Sequence, residues 1–200
     1  MNRVHLWSYV FIFAVTIIFS TPAIAGEPTE KIRVTTDKII GIVSNPALKG
    51  PGKAAERKRL IRQAVDERFD WEEMSRRTLA RHWQKRTMEE KTEFIDLYGK
   101  LLEQTYLDKV EGYSGEKVLY EGERVDGEYS VVKVKILTKQ ETAILTEYRL
   151  KKNAEDWLVY DISVEGVSLI NNYRTQFNSI IMRSSYKDLI KKLKTKVAKQ

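Results

Sequence analysis

The stretch VYDISVEGVSLINNYRTQF, residues 159–177, changes its periodicity in the middle. Up to Val164, apolar side chains largely alternate with polar ones, as in a strand that buries one face. After Gly166, apolar residues recur every three or four positions, as on one side of a helix. Gly166 supplies the backbone freedom for a tight corner, and the Ser168 hydroxyl can cap the new helix. The stretch therefore predicts a strand that leads directly into a helix.

The first part of the chain has helical periodicity. Residues 30–44 and 54–69 carry apolar side chains at helical spacing, and a loop with two Pro and two Gly separates them. Asp70 is followed three residues later by Glu73, which is the spacing of a capping box. This pair predicts a helix over DWEEMSRRTLARHW, residues 70–83. Thr87 and Glu90 form a second such pair and predict a long fourth helix.

The middle of the chain has the two-residue period of β-strands. Four segments show it: residues 117–121, 129–138, 141–150 and 157–164. Their connections are short and polar, which predicts an antiparallel meander. Helices, then strands, then a helix indicate an α+β fold with the helices gathered on one face of the sheet.

The N-terminal residues have the pattern of a secretory signal peptide. A positive charge at Arg3 precedes the apolar run VFIFAVTIIF, and Ala23-Ile24-Ala25 provides an A-x-A cleavage site. Residues 1–25 are therefore predicted to be the signal peptide, and residues 26–200 a single domain in the periplasm. An uncleaved membrane anchor is the alternative. The chain has no cysteine, which excludes a lipoprotein anchor and disulfides.

Charge and composition narrow the possible partners. Removing residues 1–25 removes one charge, Arg3, so the net charge of the mature chain is +7 − 1 = +6. For an exported protein this balance argues against a nucleic-acid partner and favours anionic membrane surfaces or acidic proteins. The basic segment 187–199 is interpreted as a solvated helix face. With no cysteine and only His82 in the mature chain, no metal or other cofactor is expected.

The sequence contains few candidates for catalysis. It lacks the G-x-S-x-G, P-loop, G-x-G-x-x-G and H-E-x-x-H motifs. Asp161 lies within a predicted strand among apolar neighbours, where a buried carboxylate could act as a general base. It could instead hold the corner through a salt bridge, with Arg174 as a candidate partner, or accept hydrogen bonds from nearby amides. We favour the structural interpretation of Asp161, and for His82 we favour a surface or packing role over a catalytic one.

Three blocks of the sequence resemble the MlaC family of periplasmic phospholipid-binding proteins, which serve toluene-tolerance and lipid-asymmetry transport systems. The blocks are RFDWEEMSRRTLARHW, FIDLYGKLLEQTYL and EYRLKKNAEDWLVYDISVEGVSLINNYRTQF. The resemblance implies a nuclear-transport-factor-2-like fold, in which helices cover the concave face of a bent antiparallel sheet of four to five strands. It also implies a monomeric carrier without catalytic activity. Such a carrier would move phospholipid between an outer-membrane lipoprotein complex and an inner-membrane ABC transporter complex.

On this hypothesis, acyl chains lie between the sheet and the helices. The alternation of the strands predicts the pocket floor: Val132, Val134, Ile136, Ile144 and Tyr148. Helical spacing predicts its lid: Tyr98, Leu101, Leu102, Tyr106, Ile170, Tyr173 and Phe177. Two other functions remain open, namely an isomerase or dehydratase that uses Asp161 with a tyrosine, and an adaptor whose groove binds a partner helix.

Overall fold

The computed structural model describes residues 26–154 and 156–198, so the predicted signal peptide lies outside the described residues. Within them, helices come first, a block of strands follows, and two helices end the chain. The elements are α1 (Glu27–Ser44), α2 (Ala54–Asp66), α3 (Trp71–Leu79), α4 (Met88–Glu111), β1 (Lys117–Asp126), β2 (Tyr129–Leu137), β3 (Ala143–Asn153), β4 (Asp156–Val164), β5 (Val167–Ser168), α5 (Leu169–Arg183) and α6 (Tyr186–Ala198).

The strands form one antiparallel sheet in chain order, β1-β2-β3-β4-β5. The predicted α+β class and the predicted meander are therefore confirmed. The register of β2 and β3 brings the predicted floor residues to one face: Val132 pairs with Tyr148, Val134 with Thr146, and Ile136 with Ile144. We call this face, which α1 contacts through Ile32, the inner face of the sheet.

Strand β1 is twice as long as predicted, because the segment after Glu121 is strand and not loop. The register shifts between Tyr120 and Gly122, where Gly122 has a φ of +124°. Such a bulge keeps the two strands paired while it bends the sheet. The sequence pattern did not indicate a strand here because the side chains of this edge segment are mostly polar, and backbone pairing with β2 does not depend on them.

One predicted helix, α3, ends earlier than expected, and the end of the chain forms two separate helices. Helix α3 ends at Leu79, and Ala80 adopts a φ of +47° before a short 3₁₀ segment, Ala80–Lys85. The prediction of a helix through residue 83 was therefore wrong, since neither Gly nor Pro marks the break. The C-terminal basic segment forms its own helix, α6, and the Ser185 hydroxyl accepts a hydrogen bond from the Asp188 N–H at 3.1 Å at its start.

The predicted helix caps are partly confirmed. The Thr87 hydroxyl accepts from the Glu90 N–H at 3.2 Å, and the Glu90 carboxylate accepts from the Thr87 N–H at 3.1 Å, which completes the capping box of α4. Asp70 also caps α3 by accepting from the Glu73 N–H at 2.9 Å. The second half of that box is absent, because the Glu73 carboxylate accepts hydrogen bonds from the two arginines that follow it on α3.

The segment between α2 and α3 attaches the helices to the sheet. The Val159 N–H of β4 donates to the Arg68 carbonyl at 2.8 Å, and the Asp70 N–H donates to the Val159 carbonyl at 2.9 Å. The buried Arg68 guanidinium adds a hydrogen bond of 2.7 Å to the Trp157 carbonyl. Helix α3 therefore starts at a fixed position beside β4.

The buried apolar side chains of the described residues form three clusters. The first lies among α3, α4, α5 and α6, the second on the inner face of the sheet, and the third between α1, α2 and the end of α4. Phe69 packs against both the first and the second cluster. The helix cluster and the sheet cluster are thus distinct and are joined through Phe69.

Candidate ligand-binding site

The strand–helix corner is held by the buried carboxylate of Asp161. Its Oδ2 accepts from the Ser168 hydroxyl at 2.6 Å and from the Arg149 guanidinium at 3.1 Å. Its Oδ1 accepts from the Ile170 N–H at 3.1 Å, in the first turn of α5. The ion-pair partner is thus Arg149 and not the expected Arg174, whose Nε donates to a carbonyl of α3. Gly166 has a φ of +78°, as a tight corner requires.

The inner face of the sheet is apolar but only partly buried. Val132 is 0% exposed and Val134 3%, so both are packed against neighbours. Ile136, Ile144 and Tyr148 point to the same side, yet each retains accessible surface. In a close-packed interior such side chains would be covered, so the apolar side chains at these three positions are not fully packed by their neighbours.

Four further residues on neighbouring strands extend this surface. They face the same side because each pairs directly with an inner-face residue: Val118 with Ile136, Tyr120 with Val134, Ile162 with Tyr148, and Val164 with Thr146. All four are partly buried. The alternation within the predicted strands could have identified them, but the sequence analysis selected floor residues from the two central strands alone.

Two tyrosines on this surface lie in low-dielectric surroundings. Desolvation raises the pKa of Tyr148 to about 12, and the nearby Tyr120 contributes in the same direction. The Tyr120 hydroxyl is itself buried, and desolvation raises the pKa of Tyr120 as well. The guanidinium of Arg33 on α1 stacks over the Tyr120 ring at 4.3 Å. The inner face therefore carries the hydroxyl groups of Tyr120, Tyr148 and Thr146 among mostly apolar side chains.

The predicted lid residues lie mainly inside the first cluster. The Tyr98 ring centroid is 5.5 Å from that of Tyr173 and 5.8 Å from that of Phe177. The Thr78 hydroxyl donates to the Tyr98 hydroxyl at 3.2 Å, and desolvation raises the pKa of Tyr98. Leu101, Leu102 and Ile170 are buried in the same cluster, whereas Tyr106 is only partly buried.

The structure thus brings the predicted site residues together in two groups. The floor residues share the inner face, and the lid residues pack with one another between α4 and α5. Among the lid residues, Tyr106 is only partly buried. It shares this with the floor residues Ile136, Ile144 and Tyr148. Direct contact of any of the twelve residues with a ligand stays a prediction.

Two surface depressions lie outside this region. One of about 380 Å³ lies between α3 and α5 and is lined by Arg76, Arg77, Ala80, Trp83, Gln84 and Arg174. The other, of about 580 Å³, lies between the start of α4 and α6. Neither is lined by any of the twelve predicted residues or by Asp161.

The described residues also show no arrangement suited to a metal ion or to a membrane span. Among residues 26–154 and 156–198, no three His, Asp or Glu side chains converge as metal ligands would. In the same part of the chain, no helix combines the length and the apolar character that crossing a bilayer requires.

A sequence profile of the MlaC protein family matches residues 33–195, which include the corner, the inner face and all twelve predicted site residues. The chain belongs to the MlaC family. A curated relative, the intermembrane phospholipid transport system binding protein MlaC of Haemophilus influenzae (strain ATCC 51907 / DSM 11121 / KW20 / Rd), is 20% identical over 202 residues. The alignment covers 96% of this chain and 94% of the relative.

A solved structure has the same fold as this MlaC-family chain. It is the phospholipid-binding protein from Ralstonia solanacearum in complex with a phospholipid, at 1.53 Å resolution. The TM-score is 0.78 and the sequence identity 23%, with 87% of this chain and 98% of the other covered. The family resemblance predicted from the three sequence blocks and the predicted fold are therefore confirmed.

Proposed function

We propose that this protein is a carrier that binds the acyl chains of a phospholipid between the inner face of its sheet and its helices. The observation that carries the proposal is the row of inward-pointing apolar side chains on β1 to β4 that remain partly buried. The names of the Haemophilus and Ralstonia relatives, which refer to phospholipid transport and to phospholipid binding, support the same class of ligand.

The energetics of lipid transfer explain why such a site must be internal. Each methylene gains about 0.8 kcal/mol when it leaves water, so two chains of about sixteen carbons each amount to about 25 kcal/mol. An open patch on the surface would leave most of that hydrocarbon in contact with water. A space between the helices and the inner-face residues Val118, Ile136, Ile144, Tyr148 and Ile162 would enclose it. The affinity must nevertheless stay close to that of a membrane, since a carrier has to release its ligand.

We also propose the compartment in which the protein acts and the two complexes with which it exchanges phospholipid. The predicted signal peptide, residues 1–25, directs the protein to the periplasm. There it would act as a monomer and exchange phospholipid with an outer-membrane lipoprotein complex and an inner-membrane ABC transporter complex. The support for this route is the MlaC family membership together with the transport system in the name of the Haemophilus relative.

An enzymatic role for Asp161 has less support. A general base needs a free lone pair directed at a substrate. The Asp161 carboxylate already accepts three hydrogen bonds from within the corner, and its side chain lies on the opposite face of the sheet from Tyr148. Its geometry therefore suits a structural role.

The test uses two neighbouring residues of β3 that point to opposite faces. Ile144 is on the inner face, and Leu145 is 50% exposed on the outer face. Ile144→Trp places a large ring where an acyl chain would lie, so we expect the amount of co-purified phospholipid to fall at least fivefold. Leu145→Trp adds the same ring outside and should leave the lipid content unchanged. Both variants are extracted from periplasm without detergent, and bound molecules are identified by mass spectrometry.

The outcomes separate the carrier from its alternatives. A full complement of phospholipid in Ile144→Trp would contradict the proposed site, and the absence of lipid from the unmodified protein would contradict the function. A bound metabolite would favour the enzyme, and a bound peptide would favour the adaptor. Val134 is less suitable for this test, because a Trp at a position only 3% exposed would overpack the core and cost about 1–3 kcal/mol of stability.

A further inference from the structure

The positive charge of the chain is concentrated on its last two helices. Residues 169–198 contain seven basic side chains and one acidic side chain, so their net charge is 7 − 1 = +6, compared with +7 for the whole chain. The basic side chains are Arg174, Arg183, Lys187, Lys191, Lys192, Lys194 and Lys196. The remainder of the described chain is close to electrically balanced, so the protein has one markedly basic end.

Helix α6 directs its lysines away from the protein. Its apolar side is buried in the first cluster through Tyr186, Leu189, Ile190 and Leu193. The solvent-exposed surface of α6, opposite this apolar side and along its flanks, carries four lysines, Lys187, Lys191, Lys192 and Lys196, which we call the lysine face. Because the packing of the apolar side fixes the rotation of α6, the lysine face is held in one orientation.

The internal contacts of the protein do not account for this arrangement. Lys194 pairs with Glu93 at 2.6 Å, whereas no salt bridge joins the lysine face to the residues that the structure describes. Lys187 with Lys191, and Lys192 with Lys196, are like charges at i, i+4 spacing, which destabilise a helix. Lys187 also lies in the first turn, where the helix dipole disfavours a positive charge. An external anionic surface would relieve these costs.

The chemistry of the lysine face indicates what kind of surface this is. Protein interfaces are enriched in aromatic residues and Arg and are depleted in Lys. The lysine face has neither aromatic nor Arg side chains, and the apolar side of α6 is already occupied by the core. An anionic bilayer requires only positive charges held near its surface, and Lys supplies them as compact, hydrated point charges.

We propose that the lysine face docks this protein on anionic phospholipid bilayers by electrostatic attraction, without insertion of α6 into the bilayer. The docking goes beyond cargo binding and does not depend on it, since the lysine face and the inner face of the sheet belong to different elements. It places the basic end of the protein against the membrane. Because the contact is between exposed charges, it weakens as the ionic strength rises.

The test compares two variants that lose the same number of charges. In the first, Lys187, Lys191, Lys192 and Lys196 are replaced by Gln, which has a helix propensity similar to that of Lys. In the control, Gln replaces four exposed lysines outside α5 and α6: Lys49, Lys58, Lys117 and Lys133. Each protein is sedimented with vesicles of phosphatidylcholine alone, or of phosphatidylcholine and phosphatidylglycerol in equal parts, at low and high salt.

We expect the unmodified protein and the control to bind phosphatidylglycerol vesicles at low salt and to lose that binding at high salt. The lysine-face variant should bind at least tenfold more weakly, since each Lys near an anionic surface adds to the attraction. Equal losses in the two variants would assign the binding to net charge and overturn the proposal. It would also be overturned by unchanged binding of the lysine-face variant, or by no binding of the unmodified protein. Circular dichroism and phospholipid content, measured in parallel, report folding and cargo binding separately.

Discussion

Asp161 is a buried charge whose position in the fold determines its role. Three donors reach its carboxylate: a side-chain hydroxyl, a backbone N–H and a guanidinium group. A charge-assisted contact of this kind is stronger than a neutral hydrogen bond. The carboxylate therefore ties β4 to the first turn of α5, which orients the helix that carries Tyr173 and Phe177.

Tyr148 makes stability depend on pH in the alkaline range. Its pKa is raised by desolvation to about 12 in the folded protein, whereas a tyrosine in an unfolded chain has a pKa of about 10. Below about pH 10 the phenol is neutral in both states, so its contribution to stability is fully present. As the pH rises towards about 12, the unfolded chain loses the proton first, and that contribution is lost at up to about 1.4 kcal/mol per pH unit.

Tyr148→Phe should therefore lose less stability than the unmodified protein between about pH 10 and about pH 12. The measurement is the free energy of unfolding in urea at several alkaline pH values. Tyr129→Phe is the matched control, since Tyr129 is 42% exposed. Parallel pH profiles for Tyr148→Phe and the unmodified protein would show that Tyr148 is not in a desolvated site.

At the scale of single elements, the start of α4 depends on its capping box. Thr87→Ala removes the acceptor for the Glu90 N–H and should lower the free energy of unfolding by about 1 kcal/mol. Thr92→Ala is the control, because Thr92 is on the same helix and its hydroxyl donates only to the Met88 carbonyl. That change should be close to neutral, as Ala is a better helix former than Thr. Urea unfolding of both variants gives the comparison, and equal costs would contradict a specific cap.

The secondary structure could be predicted from the sequence wherever the side chains determine it. The alternation of β2 and β4 and the cap of α4 were evident because burial on one face and capping both require particular residue types. The end of α3 at Ala80 and the extension of β1 past Gly122 depend on backbone geometry that tertiary packing imposes. No residue type marks the end of α3, whereas Gly122 at the bulge and Gly127 at the hairpin turn do suit a longer β1.

The same distinction applies to the candidate site. Strand alternation correctly placed Val132, Val134, Ile136, Ile144 and Tyr148 on a shared face, since the side-chain period of a strand is fixed. Helical spacing identified apolar stripes on α4 and α5, but a stripe does not tell whether its side chains meet a ligand or one another. The tight ring contacts within the first cluster depend on how the helices dock, which a single sequence does not encode locally.

At the scale of the whole molecule, ligand removal should lower thermal stability. A ligand that binds only the folded state at a hundred times its Kd adds about 2.7 kcal/mol. For a chain of this length, this corresponds to a fall of roughly 5–10 °C in Tm when the lipid is stripped. Differential scanning calorimetry before and after delipidation measures the change, and far-ultraviolet circular dichroism checks that the secondary structure persists.

The Ile144→Trp variant provides the control for that experiment. Because its inner face is already occupied by the new ring, delipidation should leave its Tm almost unchanged. An equal fall in Tm for Ile144→Trp and Leu145→Trp would mean that the stabilising lipid binds somewhere other than the inner face.

The division of the buried side chains into three clusters also bears on how a guest molecule enters and leaves. The boundaries between these clusters can open while each cluster stays packed. Such local opening therefore requires far less free energy than global unfolding. Amide hydrogens along the boundaries between the clusters should exchange with deuterium sooner than those within each cluster. On the proposed function, a hydrocarbon guest would leave through such local opening of the protein around it.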